Sequence, residues 1–291
     1  MDKEGMNMSN AVNSDMSEFW NGEGGKKWLR FQETMGANLL PFGQKAMAAA
    51  NIQPSESVLD IGCGCGDTSI EIAGHVGVDG HVLGVDISEP ILERARAQAM
   101  ISKDKSVAFK HGDAQVHRFE AAAFDLIYSR FGVMFFDNPV AAFKNLCGAL
   151  RPDGRVAFIC WQPAKDNEWI SAPLETVARH VSLPDPPGPE NPGPTSFGDP
   201  ERVRRILTHS GFSNIEITNH DTSFTVGSNL AEAVSFLMQM GPASAAIAQA
   251  DADESVKSKI AADLCEMLAP HNTGVGVTMG AATLIVTANR K

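Results

Sequence analysis

Apolar and polar positions along the chain follow two rhythms, a short apolar run and a helical stripe, and their order predicts an open α/β sheet. Val58, Leu59 and Ile61 form a run suited to a buried parallel strand, and Thr68 to Ala73 follow with helical character. His81 to Asp86 is a second strand. Pro90 then opens a helix in which Ile91, Leu92, Ala95 and Ala99 make an apolar stripe, with Glu93, Arg94 and Arg96 outside it. Val107 to His111 and Phe124 to Tyr128 read as the third and fourth strands. A helix over Pro139 to Leu150, a turn at Arg151 to Gly154 and a fifth strand over Arg155 to Cys160 complete the run. Such alternation predicts a parallel sheet with helices on both faces.

The rhythm breaks after Cys160. Between Pro184 and Pro194 six of eleven residues are proline, which excludes regular helix or central strand. Residues 161–198 therefore read as an insertion with a short helix around Ile170 to Val181. Leaving the carboxyl end of a strand, it is expected to act as a lid over a ligand mouth. A helix over Pro200 to Ser210, a strand within Phe212 to Val226 and a closing strand over Val275 to Ala288 resume the pattern. Helices Leu230 to Met240 and Glu254 to Leu268 make up a second, helical insertion at 229–270. Ahead of the sheet, residues 1–15 are polar without periodicity and are expected to be disordered. Residues 16–53 carry Trp20, Trp28, Phe31 and Met35, the last three at helical spacing, and are expected to form a helical cover. The main domain is placed at 54–291.

The first strand runs into Asp60-Ile-Gly62-Cys63-Gly64-Cys65-Gly66, an acid followed by glycines at alternate positions. In a strand, glycine loop and helix unit, a polar small molecule lies against bare main chain. The dinucleotide pattern Gly-x-Gly-x-x-Gly fails in both frames: the third position is Asp67 or Ser69, and a carboxylate at Asp67 would repel a pyrophosphate. Asp60 instead suits a ligand with an ammonium group. Asp86, at the tip of the neighbouring strand, can accept hydrogen bonds from both hydroxyls of a ribose. Gly112-Asp113-Ala114 closes the third strand, and Ser129-Arg130-Phe131 the fourth.

These motifs closely resemble those of the class I S-adenosylmethionine-dependent methyltransferases, over about residues 55 to 165 and nearest to the ubiquinone and menaquinone biosynthesis type and their small-molecule relatives. The resemblance implies a doubly wound, mostly parallel, seven-stranded Rossmann-like sheet with an antiparallel last strand. It implies S-adenosylmethionine as cofactor, leaving as S-adenosylhomocysteine. Asp60, Gly62, Cys63 and Gly64 would hold the amino-acid tail and Asp86 the ribose. Ile87 would wall the adenine, Gly112, Asp113 and Ala114 would read it, and Ser129 would lie at the methionine end. Arg130 and Phe131 at the fourth strand's tip, with Trp20, Trp28 and Trp161, are the candidates for the substrate pocket. Arg130, against an anionic nucleophile, and His111, as a base for a hydroxyl acceptor, are the candidates for catalysis.

At 291 residues the chain can bury one large core plus a cover, and a net charge of −11 argues against a nucleic-acid partner. The Asp/Asn-Pro-Pro-aromatic element of base methylation is absent after the fourth strand; Asp185-Pro-Pro-Gly lacks the aromatic. Five cysteines, two of them in the glycine loop, suggest neither a disulfide framework nor a metal site. With no secretory pattern at Met1 to Asn10 and no span of ~20 apolar residues, a cytoplasmic protein without stable membrane insertion is expected. Two other readings stay open: an NAD(P)-dependent oxidoreductase, and an S-adenosylmethionine-binding module without catalysis.

Overall fold

A computed structural model describes residues 13–102, 106–185, 188 and 190–291. Three helices lead: α1 (Ser14–Asn21), α2 (Glu23–Arg30) and α3 (Gln32–Ala50). Then come β1 (Ser57–Ile61), α4 (Asp67–Val76), β2 (His81–Asp86), α5 (Glu89–Ser102), β3 (Val107–His111), β4 (Phe124–Arg130), α6 (Pro139–Ala149) and β5 (Leu150–Trp161). The remainder is α7 (Glu168–Val177), α8 (Pro200–His209), β6 (Phe212–Gly227), α9 (Leu230–Gln239), α10 (Gly241–Gln249), α11 (Glu254–Leu268) and β7 (Val277–Arg290).

The seven strands lie in the order β3-β2-β1-β4-β5-β7-β6. β1 to β5 are mutually parallel, and β7 runs antiparallel to both β5 and β6. Because the chain leaves β1 toward β2 on one side and later enters β4 on the other, the sheet has its switch point at the carboxyl ends of β1 and β4, where open α/β sheets bind ligands. Both strands are buried on their two faces, which is why they read as continuous apolar runs. Helix starts follow local chemistry: Asn138 accepts the Ala141 N–H at 3.0 Å ahead of Pro139, and Asp199 accepts the Glu201 N–H at 2.9 Å ahead of Pro200.

Three local features differ from the expectations. α1 begins at Ser14, inside the stretch expected to be disordered; residues 1–12 of that stretch lie outside the described residues. The turn at 151–154 is an irregular start to β5, with Asp153 at φ +65° and a register shift against β4. α10 was not foreseen, because Gly241-Pro-Ala-Ser-Ala-Ala offers small side chains and no apolar stripe.

Residues 161–198 carry α7, which packs against α10 and α11 of the second insertion. Fully buried Asn167 fastens its start: the side-chain amide donates to Gln162 O and Pro163 O, and its oxygen accepts the Ala282 N–H at 2.9 Å. The return segment is tied to the turn after β4 by Gly193 N–H and Ser196 Oγ, both donating to Met134 O.

Candidate active site at the carboxyl ends of the strands

The loop after β1 is shaped by glycines at left-handed φ, and they have separate tasks. A Cβ on Gly62 would stand 2.8 Å from Gly132 Cα, so the loop packs backbone to backbone against the turn after β4. At Gly64 the nearest atom to such a Cβ is Trp28 Nε1 at 3.7 Å, so this glycine alone in the loop faces the space beneath α2. The loop is pinned from β2, whose Val85 carbonyl accepts the Gly62 and Cys63 N–H groups.

Asp60 lies behind the loop, fully buried. Its Oδ2 accepts the hydroxyls of Thr68 and Ser69, each at 2.6 Å, from the first turn of α4. Its Oδ1 is buried without a partner. Desolvation pushes the carboxyl up to about 6, against the pull of the Ser69 and Thr68 hydroxyls and the Arg130 charge.

Asp86 ends β2 one strand away. Oδ2 accepts the Gly64 N–H and Oδ1 the Ser88 N–H, both at 2.9 Å, which leaves a free lone pair on each oxygen. Burial raises its pKa, partly offset by those N–H groups. Asp113 follows β3. Its Oδ1 accepts the Gln115 N–H at 2.9 Å, while Oδ2 is buried and unpartnered. Burial also raises this pKa. The Asp113 turn is held by Asn145 of α6, whose amide donates to Ala114 O and His117 O, both at 2.9 Å. Three carboxyls thus close three adjacent strands, two of them with an orphaned buried oxygen.

The leading helices roof this row. Ser88 Oγ donates to Trp20 O at 2.7 Å, Asn21 Nδ2 donates to Ile87 O at 2.9 Å, and Asn21 Oδ1 accepts the Glu89 N–H at 3.1 Å. Trp28 stands over Gly64, its indole Nε1 being the nearest atom to a Cβ built there. Trp20 packs edge-on against Trp28 and Phe135. Cys63 and Cys65 are both buried and lie within the loop; burial raises both thiols, Cys65 to about 12.

At the tip of β4, Phe131 adopts φ +59° and stacks on Trp161 with centroids 4.3 Å apart and planes 14° from parallel. A bulky residue held in the left-handed region marks a position that its surroundings over-determine. Phe42, Trp169 and Phe224 extend the aromatic wall. Arg130 lies against Gly43 of α3, its charge felt by Asp60 and Tyr128, and its guanidinium makes no hydrogen bond or ion pair among the described residues.

Some candidates lie elsewhere or have other duties. His111 is exposed at the end of β3, with Nε2 3.0 Å from Ile87 O. β2 and β1 lie between it and β4, and it sits beside Asp86, away from Arg130 at the tip of β4. His220 instead packs its ring against Phe42 and so adjoins the aromatic wall; burial lowers its pKa. Ser129 donates to Ile61 O at 2.7 Å and accepts the Gly132 N–H at 3.2 Å, so its hydroxyl links β4 to β1. Thr68 and Ser69 had not been singled out, although hydroxyls in the first turn behind an acid-glycine loop are a legible signal. Asn13 and Asn21, single polar residues ahead of and within a short helix, carried no signal.

A family model described as a methyltransferase domain matches residues 58–154, which hold β1 through the start of β5 and all three carboxyls. Over those residues the chain carries a methyltransferase domain. This methyltransferase is 28% identical over 189 residues to nocamycin O-methyltransferase of Saccharothrix syringae, covering 62% of this chain and 68% of that one. It is 27% identical over 207 residues to demethylmenaquinone methyltransferase of Staphylococcus saprophyticus, covering 65% and 85%. The corresponding protein of Lactococcus lactis is 34% identical over 103 residues, 35% of this chain and 41% of that one. Among solved structures, the YcgJ protein of Bacillus subtilis superposes with a TM-score of 0.56 at 15% identity, covering 88% of this chain and 99% of its own. A phosphoethanolamine N-methyltransferase of Haemonchus contortus gives 0.53 at 17% identity, covering 86% and 53%; both likenesses concern the fold.

Proposed function

We propose that this methyltransferase transfers a methyl group from S-adenosylmethionine to a small-molecule acceptor held between Arg130 and the Phe131–Trp161 wall. The observation that carries the reading is the row of carboxyls at the ends of β1, β2 and β3. Asp60 Oδ1 and Asp113 Oδ2 are buried acceptors lacking donors, and the ligand offers an ammonium at one end and an exocyclic amine at the other. Asp86 between them keeps a free lone pair on each oxygen for two ribose hydroxyls. A dinucleotide would instead place its pyrophosphate against the Gly64 N–H, which Asp86 already occupies, beside a buried carboxyl at Asp60.

The bound sulfonium supplies a methyl group already activated for displacement. What the chain contributes is alignment and exclusion of water. The α1–α2 roof shields the row of carboxyls, and the aromatic wall presents a flat apolar surface that suits an apolar or aromatic acceptor. Arg130, unpaired beside that wall, stabilises an acceptor oxygen, sulfur or ring carbon that reacts as an anion. Relatives named for nocamycin, demethylmenaquinone and, in Streptomyces, aklanonic acid support an acceptor of small-molecule size. We further place the protein in the cytoplasm and without a nucleic-acid partner; five unpaired cysteines and the net charge of −11 support both. No described helix is long and apolar enough to cross a membrane.

Calorimetric titration with S-adenosylmethionine, S-adenosylhomocysteine and NADH tests the proposal. Binding of the first two without the third is expected. Binding of NADH alone overturns it in favour of an oxidoreductase. Tight S-adenosylmethionine binding with no labelled-methyl transfer across a broad acceptor panel leaves only a binding module.

A further inference from the structure

Asn13 meets Asp113 across 100 residues of chain: its Nδ2 makes a long contact of 3.5 Å with Asp113 Oδ1. Only 9% of Asn13 is exposed, and its Oδ1 is buried with no donor, as is Asp113 Oδ2. Two acceptors cannot satisfy each other, and leaving both buried and unpaired is costly. Helix geometry does not account for the side chain. Asn13 precedes α1, yet its carboxamide caps no backbone N–H of that helix. Its backbone sits at φ +62°, a conformation asparagine tolerates well. Next to Asp113, the Ala114 N–H has no acceptor among the described residues.

Two free acceptors beside one free donor match the pairing edge of adenine, whose exocyclic amine has two N–H groups and whose adjacent ring nitrogen accepts. A 6-keto purine reverses every one of these polarities. We infer that Asn13 is a nucleobase-binding residue: its Oδ1 and Asp113 Oδ2 each take one N–H of the cofactor's adenine amine, with the Ala114 N–H meeting the ring nitrogen. The inference rests on the proposed placement of adenine at Asp113. It adds that Asn13, at the start of α1, forms part of the site and reads the base directly.

The test is calorimetry on the full chain with S-adenosylhomocysteine and two analogues, one with the amine replaced by a keto oxygen and one N6-methylated, which keeps a single N–H. Unaltered protein should reject the keto analogue strongly and bind the N6-methyl analogue roughly three- to tenfold more weakly, the value of one hydrogen bond. Asn13→Gly keeps the left-handed backbone and removes the carboxamide. It should weaken S-adenosylhomocysteine by a similar factor and lose most of the discrimination against N6-methylation, with the melting temperature of the free protein unchanged. Asn13→Ala should move both readouts in the same direction. If Asn13→Gly binds as tightly as the unaltered protein, or more tightly, Asn13 merely covers Asp113 and the inference falls. It falls equally if unaltered protein is indifferent to N6-methylation. Failure of the placement beneath it looks different: unaltered protein that does not bind S-adenosylhomocysteine, or Asp113→Asn that binds it normally, removes adenine from Asp113 whatever Asn13 does.

Discussion

Asp60 is held where its charged form is poorly tolerated, and this sets a pH dependence with a definite sign. Its folded pKa of about 6 lies above the ordinary carboxylate value, so the folded chain binds more protons than the unfolded chain between about pH 4 and 6. Its contribution to stability is therefore complete below pH 4 and lost as pH rises through 6. Cofactor binding should run the other way, because an ammonium partner needs the ionised acid. S-adenosylhomocysteine affinity, followed calorimetrically, should fall about tenfold from pH 7 to pH 5. Asp60→Asn should flatten that profile at weakened affinity while leaving the free protein at least as stable at neutral pH. Asp86→Ala should cost about 1–3 kcal/mol of cofactor affinity through lost charge-assisted hydrogen bonds. The loop glycines should separate two effects. Gly62→Ala pushes a Cβ against backbone at 2.8 Å and should lower the melting temperature. Gly64→Ala meets only ordinary contacts and should fold, losing a little stability to strain at φ +57° and more in cofactor affinity. Asp60, Asp86, Gly62 and Gly64 were legible because strand-end acids and alternate glycines stand out against an apolar run. The close approach that fixes Gly62 was not: the block behind it is another glycine seventy residues on.

At the scale of elements, the strands were readable because β1, β2, β4 and β5 are enclosed by helices and need near-continuous apolar residues. The order of β6 and β7 was not in the pattern, since a period of two carries no direction, and came only with the family resemblance. The roof was half legible. The spacing of Trp28, Phe31 and Met35 suggested one helix, whereas the chain breaks between Arg30 and Gln32 so that Trp28 turns onto the glycine loop and Met35 into the core. α1 has no buried residue within its span, and its ties to the turn after β2 and to the start of α5 are hydrogen bonds between side chains and backbone. Such ties are readily undone. Ser88→Ala combined with Asn21→Ala should therefore raise amide hydrogen exchange across residues 14–30 in the free protein while leaving β1 and β4 as protected as before, measured by mass spectrometry. Increased exchange throughout the sheet would show that the roof is integral to the fold.

For the whole molecule, ligand linkage gives a test independent of catalysis. A cofactor at a hundred times its dissociation constant stabilises the folded chain by about 2.7 kcal/mol, and the melting temperature should rise by several degrees with S-adenosylhomocysteine and by less with the same concentration of adenosine, which lacks the amino-acid tail. Native thiol titration should find Cys265 first, being the exposed cysteine, with Cys63 and Cys65 silent until the roof or the fold gives way. The same enclosure bears on tempo. With the donor in its proposed place beneath Trp20 and Trp28, departure of the demethylated remnant is expected to require the first two helices to lift. Each cycle then begins and ends with an unroofing, and a rapid first turnover followed by a slower steady rate would be its kinetic imprint.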